Sequence, residues 1–437
     1  EQYKSLVEKH AGAADEAVFR YLYGRLLGQV GRIEEAKIQF DQATKLDPKL
    51  SWPYDGLATY NLQSATKAWD TLRKSEDPTA GAEKTLGDME VLVDRAIRLY
   101  QKAASLDPKQ TESRLKLLKA RMLMTKIFGG QMSLFGGEEP LNEERKQQYL
   151  QIFVKVHDQI KACQAESLAL VTDNPRDIDA YVCLAMFAEE HGAHLLAQEI
   201  IGVAKKLFKT LPKQEAELKA DLGKSVNELG AQIDGSAARL VAGRGEEAST
   251  LPSAFVSEEA AKRLKSENAD LRKRTVIMLA ALCAQIRHDI DAMPQAVRDD
   301  YRQRAQDAAR LVAQALDDKD VDVRVESVRA LGDLLLDPFA EKVAAVLSDK
   351  EADARLRTQA AIALKKMRVK EGIPALIEGL KADDADVRQF SAEALLDIVG
   401  RKFGYNYDDT SIERAKAIAE WEKWWAENKD TFAVPAG

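Results

Sequence analysis

The chain has 437 residues, 45% hydrophobic and 31% charged, with 12 Pro, 24 Gly, 3 Cys and a formal net charge of -7. That balance excludes a disordered chain, a collagen-like chain and a small disulfide-stapled scaffold. With 71 acidic against 64 basic residues, a nucleic-acid backbone is disfavoured as the main ligand, because counterion release needs a concentrated basic surface.

At about 150 residues per domain the length corresponds to roughly three units, a count that repeat arrays escape. The 65 Ala favour helix, where Ala costs least, and the scarce Pro point the same way, since Pro costs about 3 kcal/mol there. Cys163, Cys183 and Cys283 lie in apolar, helix-like contexts and read as buried free thiols, not as a disulfide set or metal site. No run of about 18 apolar residues occurs, so no membrane span is expected. The chain begins at Glu1 without an initiator Met, so an upstream segment is expected to have been removed or left out, a cleaved export signal being one form of it. The compartment, cytoplasmic or exported, is left open by this reading.

Residues 17–48 place Gly24, Ala36, Phe40, Ala43 and Pro48 at offsets that let two antiparallel helices pack closely, with small residues at the crossing and Pro after the exit. Within them Ile33, Ala36, Phe40, Ala43 and Leu46 recur at three- and four-residue steps, which makes one buried stripe. These residues resemble a tetratricopeptide repeat. A second copy opens with Tyr54, Leu57 and Ala58, but its second helix comes late, with Ala96, Tyr100, Ala103 and Pro108. The two Leu-Asp-Pro exits stand 60 residues apart instead of about 34, so an insertion of about 26 residues is expected across 62–88. A third copy would use helices from Thr111 to Phe128 and from Tyr149 to Val171, interrupted over 128–148. A fourth uses Tyr181, Leu184, Ala185, Ala197, Ile201, Ala204 and a late Pro212. The resemblance covers about residues 13–212 and implies stacked helix pairs with a groove that binds a peptide or helix. The basic and Asn set with which some members hold a carboxyl-terminal peptide has no complete counterpart here.

Residues 128–140 repeat Phe-Gly-Gly, and their four Gly are expected to rule out a continuous helix. No Gly-Lys-Ser/Thr follows to make a phosphate cradle. Two readings stand: a loop tucked over its own repeats, or an exposed loop that offers Phe128, Met132, Leu134 and Phe135 to a partner.

Residues 213–262 turn polar and then rich in turn formers (Gly243, Gly245, Ser249, Pro252, Ser253), so they are expected to be a helical and flexible linker. It separates the repeats of 1–212 from a second array over 263–400. There four phrases align, from Leu271, Val323, Leu356 and Val387, with arginines at Arg272, Arg324, Arg357 and Arg388. Asp270, Asp320, Asp322, Asp383 and Asp386 are candidate caps for the helices that follow. The array resembles HEAT repeats of the short type also found in phycobilin-lyase relatives. That resemblance implies that Val packs inward while Arg and Asp tie neighbouring repeats. Among similar repeats are bilin-attaching enzymes, a metal-dependent hydroxylase built on His-Glu pairs and DNA-repair glycosylases. This chain has no His-Glu dipeptide; His191 and His194, near Glu189 and Glu190, read as a solvated turn before a metal site.

Over 401–437, Phe-Gly-Tyr, an acidic turn and a helix opened by Ser411 lead to Trp421, Trp424 and Trp425. This resembles the closing segment of many bacterial HEAT-repeat proteins. It reads as a terminal cap hiding the last apolar face, with a tryptophan-rich docking surface as the alternative.

The expectation is an all-α chain, a two-part α-solenoid of TPR-like and then HEAT-like helix pairs. Its expected role is a non-catalytic scaffold or adaptor for protein partners in a multi-subunit assembly, with no cofactor, metal, nucleic acid, membrane span or small-molecule substrate. The candidate contacts are Phe128, Met132, Leu134, Phe135, Trp421, Trp424 and Trp425. The alternative is an enzyme or enzyme-maturation factor of the bilin-lyase-like HEAT type. A third reading places nucleic acid on Arg272, Lys273 and Arg274.

Overall fold

The computed structural model describes residues 2–75, 81–108, 110–135, 142–241 and 256–435. Among the described residues the fold is all-α, with twenty α-helices and no strand, in two compact units: 2–237, and 238–241 with 256–435.

In the first unit α1 (Gln2–Lys9) leads into a pair, α2 (Glu16–Gln29) and α3 (Ile33–Leu46). Ala36, Phe40 and Ala43 are buried on one face of α3, as their spacing requires. The Phe40 ring fills the gap between Gly24 on α2 and Gly56 on α4 (Ser51–Arg73). A Cβ at Gly24 would come within 2.8 Å of that ring, and one at Gly56 within 2.9 Å, so both positions must stay bare for the helices to approach.

The second pair is α4 with α5 (Ala82–Leu106), and the extra residues expected across 62–88 lengthen these two helices. No separate element stands there in the described residues. Instead α4 has 23 residues and α5 has 25, against 14 in each of α2 and α3. The helices continue because apolar steps continue: Ala65 on α4 and Leu86, Met89 and Val93 on α5 are buried. The third pair, α6 (Thr111–Ser133) and α7 (Glu143–Asp173), is also long. The chain break expected from residue 128 is corrected, since α6 runs on through Gly129 and Gly130. Each glycine costs about 1 kcal/mol in a helix, which burial of Ile127 and Phe128 offsets. Residues 136–140 of that segment lie outside the described residues.

A fourth pair, α8 (Ile178–Glu190) and α9 (His194–Lys209), is followed by α10 (Lys213–Leu218) and α11 (Ala220–Val241). Residues 213–237 belong to the first unit, so the break between units falls later than position 213. Val226 and Ile233 join the same core as Ile201 and Ala204, and Gln198 and Lys205 on α9 donate to Asp234 at 2.8 and 3.2 Å. The turn formers Gly243, Gly245, Ser249, Pro252 and Ser253 lie outside the described residues.

The second unit contains α12 (Val256–Arg263), α13 (Ala269–Asp289), α14 (Gln295–Gln314), α15 (Val321–Asp333), α16 (Ala340–Ser348), α17 (Ala354–Met367), α18 (Ile373–Gly379) and α19 (Ala385–Val399). One layer is made by α13, α15, α17 and α19, each packed on the next, and α14, α16 and α18 pair with them. Of the acids expected to cap this layer only Asp320 does so. Its companions are Asn268, Asp353 and Asp384, each accepting from an amide in the first turn. Each cap stands four residues before one of the ladder arginines, so cap and arginine repeat as a unit. The chain closes with α20 (Ser411–Asn428), capped by Thr410 where Ser411 was expected, in a reciprocal box with Glu413.

In this unit Gly332 on α15 lies directly against the backbone of α17. A Cβ added there would lie 2.7 Å from the Ala363 Cα. In an isolated helix Gly332→Ala would gain about 1 kcal/mol. Here the new methyl meets backbone, and a loss of about 1–3 kcal/mol is expected as a lowered urea midpoint. A midpoint at or above wild type would contradict this contact.

Candidate functional site

Five groups of side chains stand out in the sequence, and packing claims most of them. Phe128 is 4% exposed, so its side chain belongs to the core and not to a docking loop. Met132 and Leu134 are half-buried against that core. Phe135, also half-buried, sits edge-on to Tyr149 at 5.8 Å, with the Arg145 guanidinium 4.9 Å from its ring centroid. At the chain's end Trp421 is 1% and Trp424 8% exposed. Phe403 meets Trp421 edge-on at 4.7 Å and Phe432 meets Trp424 at 5.3 Å, which makes an aromatic plug over α18 and α19. Only Trp425 of the three tryptophans is half-buried.

Three arginines of the ladder, Arg272, Arg357 and Arg388, are structural, while the buried Nε of Arg324 has no hydrogen-bond partner among the described residues. Arg272 is 3% exposed; two of its nitrogens reach Asp318 at 2.7 and 2.8 Å, and a third donates to the Ser266 and Glu267 carbonyls. Arg357 donates to the Leu347 carbonyl, and Arg388 to those of Ala382, Asp383 and Tyr407. These guanidiniums saturate carbonyls where one helix ends and the next begins. Arg272 is therefore withdrawn from the nucleic-acid reading that grouped it with Lys273 and Arg274.

The histidines at the α8–α9 turn are also engaged. His191 Nδ1 lies 2.8 Å from the Phe187 carbonyl, and burial pushes this imidazole below its ordinary pKa despite that bond. His194 Nδ1 lies 2.8 Å from Glu189. The three cysteines are free and buried. Burial pushes the Cys163 thiol up to about 12 and those of Cys183 and Cys283 to about 11, which keeps them protonated and unreactive.

Composition and motif spacing missed a cleft of about 580 Å³ along α4, bounded by α4, α5 and α6. Thr59, Gln63, Thr66, Lys67, Asp70 and Lys74 line it at steps that keep to one face of the helix. Tyr100 and Lys116 form its far wall. The Tyr100 hydroxyl donates to Thr59 at 3.1 Å, and burial raises its pKa to about 12. Lys116 is held 2.7 Å from Asp55 and 2.8 Å from Glu112, and Ser113 donates to Asp55 as well. Lys67, Asp70 and Lys74 are exposed with no ion-pair partner among the described residues. The only sequence signal for this cleft is the polar face itself, which a solvated helix would show equally.

Comparison with known families places both repeat types. Residues 17–50 match the model of a tetratricopeptide repeat, and residues 308–397 match that of HEAT repeats. The chain carries a tetratricopeptide repeat and HEAT repeats. No curated protein matches it. Among solved structures, human deoxyhypusine hydroxylase in complex with glycerol is 15% identical, with 78% of this chain and 97% of that one covered and a TM-score of 0.27. Yeast Tom70 is 13% identical, with 94% and 96% covered and a TM-score of 0.15. Among the described residues no helix is long and apolar enough to cross a membrane.

The buried Arg272–Asp318 pair yields a pH dependence. Burial works to raise the Asp318 carboxyl, but the Arg272 hydrogen bonds, the Asp320 amide and the Arg272 charge outweigh it and hold its pKa below the ordinary value. A carboxyl depressed in the folded state adds stability above its unfolded pKa, near 3.9, and that stability is lost as pH falls through the folded value. Asp318→Asn is expected to cost about 3 kcal/mol at neutral pH. The gap in melting temperature to wild type should narrow below about pH 4. A gap that stays constant from pH 7 to 2.5 would contradict the assignment.

Proposed function

We propose that the chain is a non-catalytic scaffold or adaptor that holds protein partners within a larger assembly. The cleft along α4 carries this reading. There a polar face about four turns long presents Lys67, Asp70 and Lys74 with no internal use for their charges. Stacked helix pairs of both repeat types offer extended surfaces without a substrate pocket being needed. Two modest contact surfaces on one chain would raise avidity for a partner that reaches both. Met132, Leu134, Phe135 and Trp425 keep partial exposure and remain in the proposal as added contacts, while Phe128, Trp421 and Trp424 support it from the core.

The test is affinity isolation from the native source with wild type and the double variant Lys67→Glu, Lys74→Glu. Both substitutions sit on an exposed face, so folding should be unchanged. Wild type is expected to retain partner proteins, and the variant at least fivefold less of one of them. Recovery of wild type as a monodisperse monomer with no co-purifying protein would overturn the reading.

A further inference from the structure

The second unit holds a cleft that its own packing leaves unused. A cavity of about 470 Å³ is lined by α13, α14 and the turn after α15. Its floor is apolar, with Ile286 buried and Ile290, Leu336 and Phe339 half-buried. Its edge carries three exposed arginines, Arg287, Arg302 and Arg310, and no carboxylate is among the lining residues. In a chain of net charge -7, that is a local concentration of positive charge around apolar surface.

Pairing within the unit does not consume these cations. Arg302 and Arg310 each meet an acid three residues away on the same helix, Asp299 at 3.0 Å and Asp307 at 3.2 Å. Such exposed pairs are screened by solvent and exchange readily for another carboxylate. Arg287 has no hydrogen-bond or ion-pair partner among the described residues. Arg302 and Arg310 lie about 12 Å apart along α14, a span that one small carboxylate does not bridge. A peptide with acids on either side of an apolar side chain does bridge it, and the planar guanidinium fork suits carboxylates.

We propose that this cleft takes a short acidic segment of a partner protein, with one large apolar side chain on the Ile286–Phe339 floor and flanking carboxylates on Arg287, Arg302 and Arg310. The inference rests on the scaffold reading and names the chemistry of one partner.

The full chain is titrated with a fluorescein-labelled probe, Asp-Glu-Glu-Leu-Phe-Glu-Glu-Asp, followed by anisotropy at low and at physiological salt. Saturable one-site binding is expected, weakened at least tenfold by Arg287→Glu with Arg310→Glu. The cleft-filling variant Ala305→Phe should weaken it equally, with circular dichroism unchanged in both variants. A probe with all acids replaced by Gln and Asn, or with Phe replaced by Ser, should bind at least tenfold more weakly. Equal binding by wild type and both variants would overturn the proposal, as would tighter binding of decanoate than of the peptide. A parallel isolation from the native source separates this idea from the scaffold reading. If wild type and the Arg287→Glu, Arg310→Glu variant retain the same partners equally, the cleft assignment fails and the scaffold stands. If wild type retains none, the scaffold reading itself fails.

Discussion

A helix pair with one apolar face cannot hide that face by itself, so within each unit each pair must press against the next. How closely the pairs approach is set by residues that are almost absent. Gly24 and Gly56 leave room for one ring, Phe40, and Gly332 leaves room for the backbone at Ala363. Two repeat types with different sequences thus meet the same packing requirement: a bare position on one helix admits a neighbour that would otherwise stand off. Polar ties then fix the register. In the second unit each cap of α13, α15, α17 and α19 is followed four residues later by an arginine. Where Arg272, Arg357 and Arg388 are buried, they close the carbonyls that helix ends leave open.

This division of labour orders the functional groups. Cysteines, histidines at the α8–α9 turn, Arg272, Arg357 and Arg388, and two of the three terminal tryptophans are engaged in holding pairs together. Among the charged groups that folding leaves without an ion-pair partner in the described residues are Lys67, Asp70 and Lys74 beside α4, and Arg287 at the α13–α14 cleft. The cations among them give each cleft a group suited to contact with an acidic protein surface.

Much of the fold was legible in the sequence because burial in a repeat is periodic. Ala36, Phe40 and Ala43 announced the first pair, and the spacing of Arg272, Arg324, Arg357 and Arg388 announced the second array. A departure from period does not tell whether the extra residues form a loop or lengthen the helices. The long exit-to-exit distance before Pro108 comes from longer helices, which the apolar steps through Ala65, Leu86 and Met89 already required. The glycines after Phe128 were weighted by their intrinsic cost, whereas tertiary burial of Ile127 and Phe128 decided the outcome. The clefts were not legible, because a polar stripe on a helix looks the same whether it faces bulk water or lines a groove.

Nearest-neighbour stacking is tested most directly by native-state hydrogen exchange read by mass spectrometry across the first unit. The account predicts graded protection, with α5 and α6, flanked on both sides, exchanging most slowly, and α2 and α3, near the end of the stack, at least tenfold faster. Identical protection in all four helices, with one common opening free energy, would contradict it.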